Sequence, residues 1–248
     1  MVVVIAGASQ GLGLALCQSY LSINESNVVF GTYRSKITDS MKELTQTYPE
    51  RLVWLQHDID DEASYENLKN KIVSDGHSSI HRFINCIGAL QIEGLIAERK
   101  VEEVSLENMK KSFLVNSIPT MLFAKYLKEL FKHKEYAVFA AISAKVASLE
   151  DNSLGGWYSY RASKTALNMF IKNLSLEFKR LGPEKYVITI HPGTTQTRLS
   201  EPFMAVAAKK YTIHSPLESA ENLMKVFENL KPENQGQFLN YDHSVLPW

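Results

Sequence analysis

Seven short apolar runs recur along the chain, and their spacing constrains the fold more than any other feature. They are VVVIAG (2–7), NVVFGTY (27–33), RLVWLQHD (51–58), IHRFINCIG (80–88), YAVFAAIS (136–143), YVITIHPG (186–193) and GQFLNYD (236–242). Between them, helical periodicity covers roughly 11–22, 38–48, 61–74, 104–132, 157–181 and 216–230. Strands alternating with helices imply parallel pairing through helical crossovers, and runs apolar throughout imply strands buried on both faces. The expectation is an α/β fold, one domain over residues 1–248, with a doubly wound seven-stranded parallel sheet flanked by helices. Local signals agree. In SPLE (215–218) Ser215 is placed to cap a helix, with Pro216 first inside it and Glu218 three after the cap. RLGP (180–183) has the glycine and proline that end one.

Composition narrows the class. The 248 residues are 45% hydrophobic and 22% charged, ordinary for a chain with a sizeable core. The 27 basic residues balance 27 acidic ones, so nothing in the charge points to nucleic acid or an anionic membrane. No run approaches a membrane span, and MVVVIAGAS lacks the basic start of a signal peptide. Cys17 and Cys86 have no metal-type spacing and read as buried thiols, so the cytoplasm is the expected compartment and no metal is expected.

VVVIAGASQGLGLAL reads as a strand, a turn carrying Gly7, Gly11 and Gly13, and a helix. Unpaired amides and the dipole at a helix start favour an anion. Gly11 lets a diphosphate approach the backbone, and Gly13 lets the helix pack on the sheet. At the end of the second strand, GTYRS puts Tyr33 where an acid would bind the adenine ribose, followed by Arg34. A guanidinium suits a 2′-phosphate, so NADP(H) is favoured over NAD(H).

WYSYRASKTALN (157–168) holds Tyr160 and, four residues on, Lys164, which share one helical face. Tyr65 also has a lysine four residues on, Lys69, but lies between the third and fourth strands, away from the expected ligand edge. Tyr160 follows the fifth strand, past the switch in strand order where such sheets bind ligands. A nearby ammonium is expected to lower its pKa towards a working range. Tyr158, with alanine four on, is expected at the substrate mouth. Within 104–132, Pro119 has no amide for the carbonyl of Val115, so the helix should open beside Asn116. The segments 104–132 and 157–181 are apolar on more than one face, which predicts a homodimer or homotetramer.

In this order, over essentially the whole chain, these motifs resemble the short-chain dehydrogenase/reductase family, with its Rossmann fold. Gly7-Ala8-Ser9-Gln10-Gly11-Leu12-Gly13 resembles its cofactor turn, and Asp58-Ile59 its adenine contact. Asn85-Cys86-Ile87-Gly88 corresponds to N-N-A-G, with the second and third positions changed. Asn116, Tyr160 and Lys164 fall where the family has its active-site asparagine and Y-x-x-x-K pair. Pro192-Gly193-Thr194-Thr195-Gln196-Thr197 resembles the segment around the nicotinamide, with Thr195 replacing valine. Within the family, DNSLGGWYSYRASKTALN and the tail GQFLNYDHSVLPW are similar to sniffer-type carbonyl reductases and C-factor-like proteins. The resemblance implies hydride transfer between NADP(H) and a small carbonyl or alcohol substrate, with Tyr160 as acid/base.

One position departs. The family's substrate-orienting serine is the second of two at the end of the fifth strand, and Ile142-Ser143-Ala144-Lys145 places alanine there. Ser143 can substitute if the strand end bulges, and Ser148 if the next loop reaches in. This keeps a second class open, an NADP(H)-binding regulatory or signalling protein with weak catalysis. The segment between Thr197 and Ser215 is expected to cover the substrate, with Phe203, Met204 and Val206 as an apolar wall or as loop core.

Overall fold

The computed structural model describes residues 1–91 and 96–248. Every apolar run predicted as a strand is one: β1 (Val2–Ala6), β2 (Val28–Tyr33), β3 (Leu52–Gln56), β4 (Arg82–Asn85), β5 (Ala137–Ile142) and β6 (Lys185–His191), with Phe238–Asn240 as the last. They form one seven-stranded parallel sheet in the order β3-β2-β1-β4-β5-β6 and then Phe238–Asn240. Chain order reverses between β1 and β4, so the loops leaving their carboxyl ends part in opposite directions. A crevice opens there.

Two apolar layers sandwich the sheet. On one face α1 (Gly11–Ile23) packs Leu16 and Tyr20 with Leu223 and Phe227 of the helix Pro216–Glu228 over Ile5, Ile84 and Ile188. On the other, α3 (Glu62–Ser74) contributes Tyr65 and Ile72, joined by Phe123, Ile171 and Phe178 over Phe83 and Phe139. α2 (Asp39–Thr47) lies at the β3 end, its Leu44 in the first layer. The helix Pro216–Glu228 starts in the predicted capping box, with the Glu218 amide on Ser215 Oγ (3.2 Å) and the Ser215 amide on Glu218 Oε2 (2.7 Å).

The predicted helix over 104–132 is two helices, α4 (Leu106–Asn116) and α5 (Ile118–Leu127), ending in a 3-10 turn at Lys128–Phe131. The break falls at Ser117 (φ −132°, ψ −50°), two residues before Pro119. Proline fits the first turn of a new helix, where its missing amide has no partner to lose. Next comes α6 (Tyr158–Phe178). After β6, the short strands β7 (Thr194–Thr195) and β8 (Ile213–His214) pair with each other and pinch off the segment between them, which holds α7 (Met204–Ala207). The last helix is α8 (Pro216–Glu228) and the last strand β9 (Phe238–Asn240). Among the described residues no helix is long and apolar enough to cross a membrane, and no group of acidic, histidine and cysteine side chains is placed to hold a metal.

Candidate active site

The turn after β1 is built onto its neighbour. The Gly7 amide donates to Thr32 Oγ1 (3.0 Å) and the Ala8 amide to the Thr32 carbonyl (2.7 Å). α1 then begins at Gly11 with no side-chain cap from Gln10 and no acid in its first turn. Its leading amides and positive dipole end are therefore left for an external anion. A Cβ on Gly13 would collide with the Gly7 carbonyl, so only glycine allows α1 to rise this close to the turn. Thr197 comes down over Gly11, bringing the 192–197 segment onto the same mouth as Ser9, Gln10 and Leu12. This cradle fits a dinucleotide diphosphate. Further along the same edge, Tyr33 ends β2, Arg34 follows it exposed, and Asp58 and Ile59 follow β3.

The other side of the crevice is a hydrogen-bonded knot. Asn85 Nδ2 donates to Thr120 Oγ1 of α5 (2.7 Å), and Asn85 Oδ1 accepts from the Ile87 amide (3.0 Å). Asn116 grips Ala89 twice, accepting from its amide (2.8 Å) and donating to its carbonyl (3.0 Å). Its Nδ2 also donates to Ser163 Oγ (3.2 Å), which donates to the Tyr160 carbonyl (2.8 Å). The break between α4 and α5 thus turns Asn116 onto the β4 loop and ties that loop to α6. Lys164 is buried, donating from Nζ to the Ile142 carbonyl at the end of β5 (2.9 Å). A methyl on Gly88 would lie 3.0 Å from that Nζ and 3.3 Å from Asn116 Oδ1, so Lys164 and Asn116 meet against Gly88.

Burial sets the proton affinities here. It pushes the Tyr160 phenol well above its ordinary value and lowers the Lys164 ammonium to about 8. The expected lowering of Tyr160 by Lys164 is absent from the protein alone, where the buried phenol stays protonated at neutral pH.

Several residues lie elsewhere than the sequence suggests. Ser143 Oγ donates to Asn168 Oδ1 (2.8 Å), and Asn168 is two helical turns beyond Tyr160, about 12 Å along α6. Ser148 Oγ donates to the Trp248 carbonyl (3.1 Å) and accepts from the Asp151 amide (3.1 Å). Neither hydroxyl turns towards Tyr160, and Ala144 starts the next 3-10 turn. Tyr158 lies on the opposite side of α6 from Tyr160, beside Val146, Leu149 and Arg161 in an outer groove, not at the substrate mouth. Tyr65 is a core ring whose hydroxyl donates to the Ile59 carbonyl (3.0 Å). Phe203 packs on Trp157 (5.5 Å between centroids), which stands edge-on to Tyr160 (6.3 Å), while Val206 is 64% exposed. Ser163, which the motifs pass over, belongs to this knot, and Trp157 and Glu98, also passed over, are joined to each other beside it at the start of α6.

The family model described as short chain dehydrogenase matches residues 1–206. The chain belongs to this family. An uncharacterized oxidoreductase of Schizosaccharomyces pombe is 29% identical, the match covering 98% of this chain and 96% of that one. Carbonyl reductase Sniffer of D. melanogaster superposes with a TM-score of 0.85 at 21% identity, over 99% of this chain and 98% of that one. A carbonyl reductase from Pseudomonas aeruginosa PAO1 in complex with NADP does so with a TM-score of 0.78 at 26% identity, over 100% and 99%. The protein is thus an oxidoreductase of the short-chain dehydrogenase type, built to bind a nicotinamide cofactor and act on a small molecule.

Proposed function

We propose that the protein is an NADPH-dependent carbonyl reductase or alcohol dehydrogenase with Tyr160 as its acid/base. The observation that carries this reading is the meeting of Lys164 and Asn116 against Gly88, one turn of α6 from Tyr160 and beside the crevice. The glycine turn and the open first turn of α1 would hold the diphosphate, with Asn85, Gly88, Pro192, Gly193, Thr195 and Thr197 facing the nicotinamide half and Asp58 and Ile59 the adenine. Arg34, with no acid in the preceding position, favours the 2′-phosphate form. When bound, the nicotinamide supplies or takes up a hydride at the carbonyl carbon.

The chain's own groups handle the proton. In reduction the Tyr160 hydroxyl donates to the carbonyl oxygen as charge develops there, and burial keeps that hydroxyl protonated at neutral pH. The Lys164 ammonium, one turn along the same helix, is the cation that would stabilise the phenolate left behind once cofactor and substrate are in place. Asn116 holds the β4 loop and α6 at a fixed distance, which keeps the floor of the site from shifting as charge moves. Ala144 gives the carbonyl no hydroxyl, and this favours the second reading, a nucleotide-bound regulatory protein with slow turnover.

The test is a turnover screen with NADPH against benzaldehyde, menadione and simple ketones, alongside titrations of NADPH and NADH. Reduction of at least one carbonyl is expected, with NADPH bound more tightly than NADH. Tyr160→Phe should cut turnover by about 100-fold or more while leaving NADPH affinity within a few-fold. Tight NADPH binding without turnover of any carbonyl would favour the regulatory reading, and a preference for NADH would remove the role given to Arg34.

A further inference from the structure

The proton chemistry proposed above leaves one buried acid unused. Glu98, between β4 and α4, is 1% exposed, and none of the ion pairs among the described residues includes it. A carboxylate taken out of water must have its hydration replaced by donors. Here Oε1 accepts from Asn108 Nδ2 (2.5 Å) and from the Ser159 hydroxyl, and Oε2 accepts from the Ser159 amide (3.3 Å). The orientation of Asn108 is set independently, because its Nδ2 also donates to the Ile96 carbonyl (3.0 Å). Asn108 therefore presents a donor and Glu98 accepts.

What Glu98 grips is the start of the helix that carries Tyr160. Trp157 precedes α6 and gives no side-chain cap, so the Ser159 amide belongs to the first turn's unpaired set. Glu98 caps it from a remote segment, with the charge that a helix start favours. The approach to that turn is strained. Gly155 (φ +63°), Gly156 (φ +66°) and Trp157 (φ +50°) are successive left-handed residues, and only the glycines adopt that conformation freely. A strained residue persists where its surroundings over-determine it. The Trp157 amide donates to the Glu98 backbone carbonyl, and the Trp157 ring lies between Tyr160 and Phe203.

We infer that Glu98 is a positioning residue for the reacting end of α6. Through Ser159 and Trp157 it fixes the rotation and axial placement of the first turn, and so where the Tyr160 hydroxyl stands. The inference rests on Tyr160 being the acid/base.

Glu98→Gln tests it by keeping the shape while turning one acceptor into a donor facing Ser159 or Asn108. The readouts are kcat at saturating NADPH with the carbonyl the wild type reduces fastest, NADPH affinity and Tm. A fall in kcat of about 10- to 100-fold is expected, the range a small misplacement of a reacting group gives. NADPH affinity should stay within twofold. Ser159→Ala added to that variant should cost little more, since both changes break one linkage. A wild-type kcat in folded Glu98→Gln overturns the inference. So does a loss of kcat matched by equal losses of NADPH affinity and a large drop in Tm, the mark of general loosening. If Glu98→Gln does not fold, Ser159→Ala alone decides, and an unchanged kcat there overturns the inference. Tyr160→Phe separates the two levels. Turnover retained in Tyr160→Phe removes the acid/base reading and this inference with it. An inactive Tyr160→Phe beside an unimpaired Glu98→Gln removes only the positioning role.

Discussion

At the end of β5, the methyl of Ala144 stands where the family resemblance calls for a hydroxyl on the substrate carbonyl. The nearest hydroxyl in sequence, that of Ser143, is committed to Asn168 in the buried layer under α6. Ala144→Ser is therefore expected to raise kcat/KM for carbonyl reduction, by up to about 100-fold if the added donor meets the developing oxyanion. NADPH affinity should hardly move, and Ser143→Ala should cost stability more than rate. Steady-state kinetics of the two variants decide between the residues. If Ser143→Ala abolishes turnover and Ala144→Ser does nothing, the strand end is in another register and Ser143 is the working hydroxyl. The candidates Tyr160 and Lys164 were legible from their spacing together with their place after the fifth strand, since Tyr65, a core ring, has the same spacing to Lys69, and Asn116 was legible from Pro119 three residues on. Glu98 was not legible, because its partner Ser159 is 61 positions away and only the folded chain brings them together.

At the scale of elements, the strands were legible because burial on both faces leaves each an unbroken apolar run with polar ends. In the segment 104–132 the opening beside Asn116 was legible from Pro119, and only its extent, a full break into two helices, was not. The segment's periodicity runs unbroken across Ser117, while the chain changes direction there to give Pro119 a helix start and Asn116 a turn towards Ala89. The expected excess of apolar surface is present on both long helices. Leu106 and Met109 on α4 are 69% and 41% exposed, and Met169 and Leu176 on α6 are 59% and 58% exposed. Each pair lies along one helical face, and α4 packs against α6. Adjacent apolar stripes of this kind fit a second copy of the chain. Sedimentation at micromolar concentration is expected to show a dimer or tetramer, and Met169→Glu should shift it towards monomer. A wild-type protein that sediments as a monomer would remove the interface.

On the scale of the whole molecule, the two apolar layers that bury the sheet also bury imidazoles, and this ties folding to pH. His57 follows β3 and packs against Tyr65 (4.4 Å) and Phe123 (4.8 Å between centroids), and burial lowers its pKa to about 4. The Ser64 backbone and then the carboxylates of Asp58 and Asp61 raise it again only in part. His191, at the end of β6, is also lowered to about 4, by burial first and then by the Lys145 ammonium. Both rings stay neutral in the folded protein while the unfolded chain takes up protons from about pH 6.5 downward. Between those values the unfolded state holds more protons, so stability is complete above pH 6.5 and drains away as pH falls towards 4. At pH 5 the buried His57 ring should cost roughly 2 kcal/mol relative to pH 7. Carboxylates held low by ion pairs, Glu62 with Lys125 among them, add their own loss in acid, so the total decline cannot be assigned to histidine. The difference between wild type and His57→Phe can, because phenylalanine keeps an aromatic ring in the pocket and takes up no proton. Urea unfolding at pH 7 and pH 5 should show the variant losing about 2 kcal/mol less than wild type over that interval. Equal losses in the two proteins would mean that His57 is already protonated in the folded state at pH 5, and that the layer between β3 and α5 admits water.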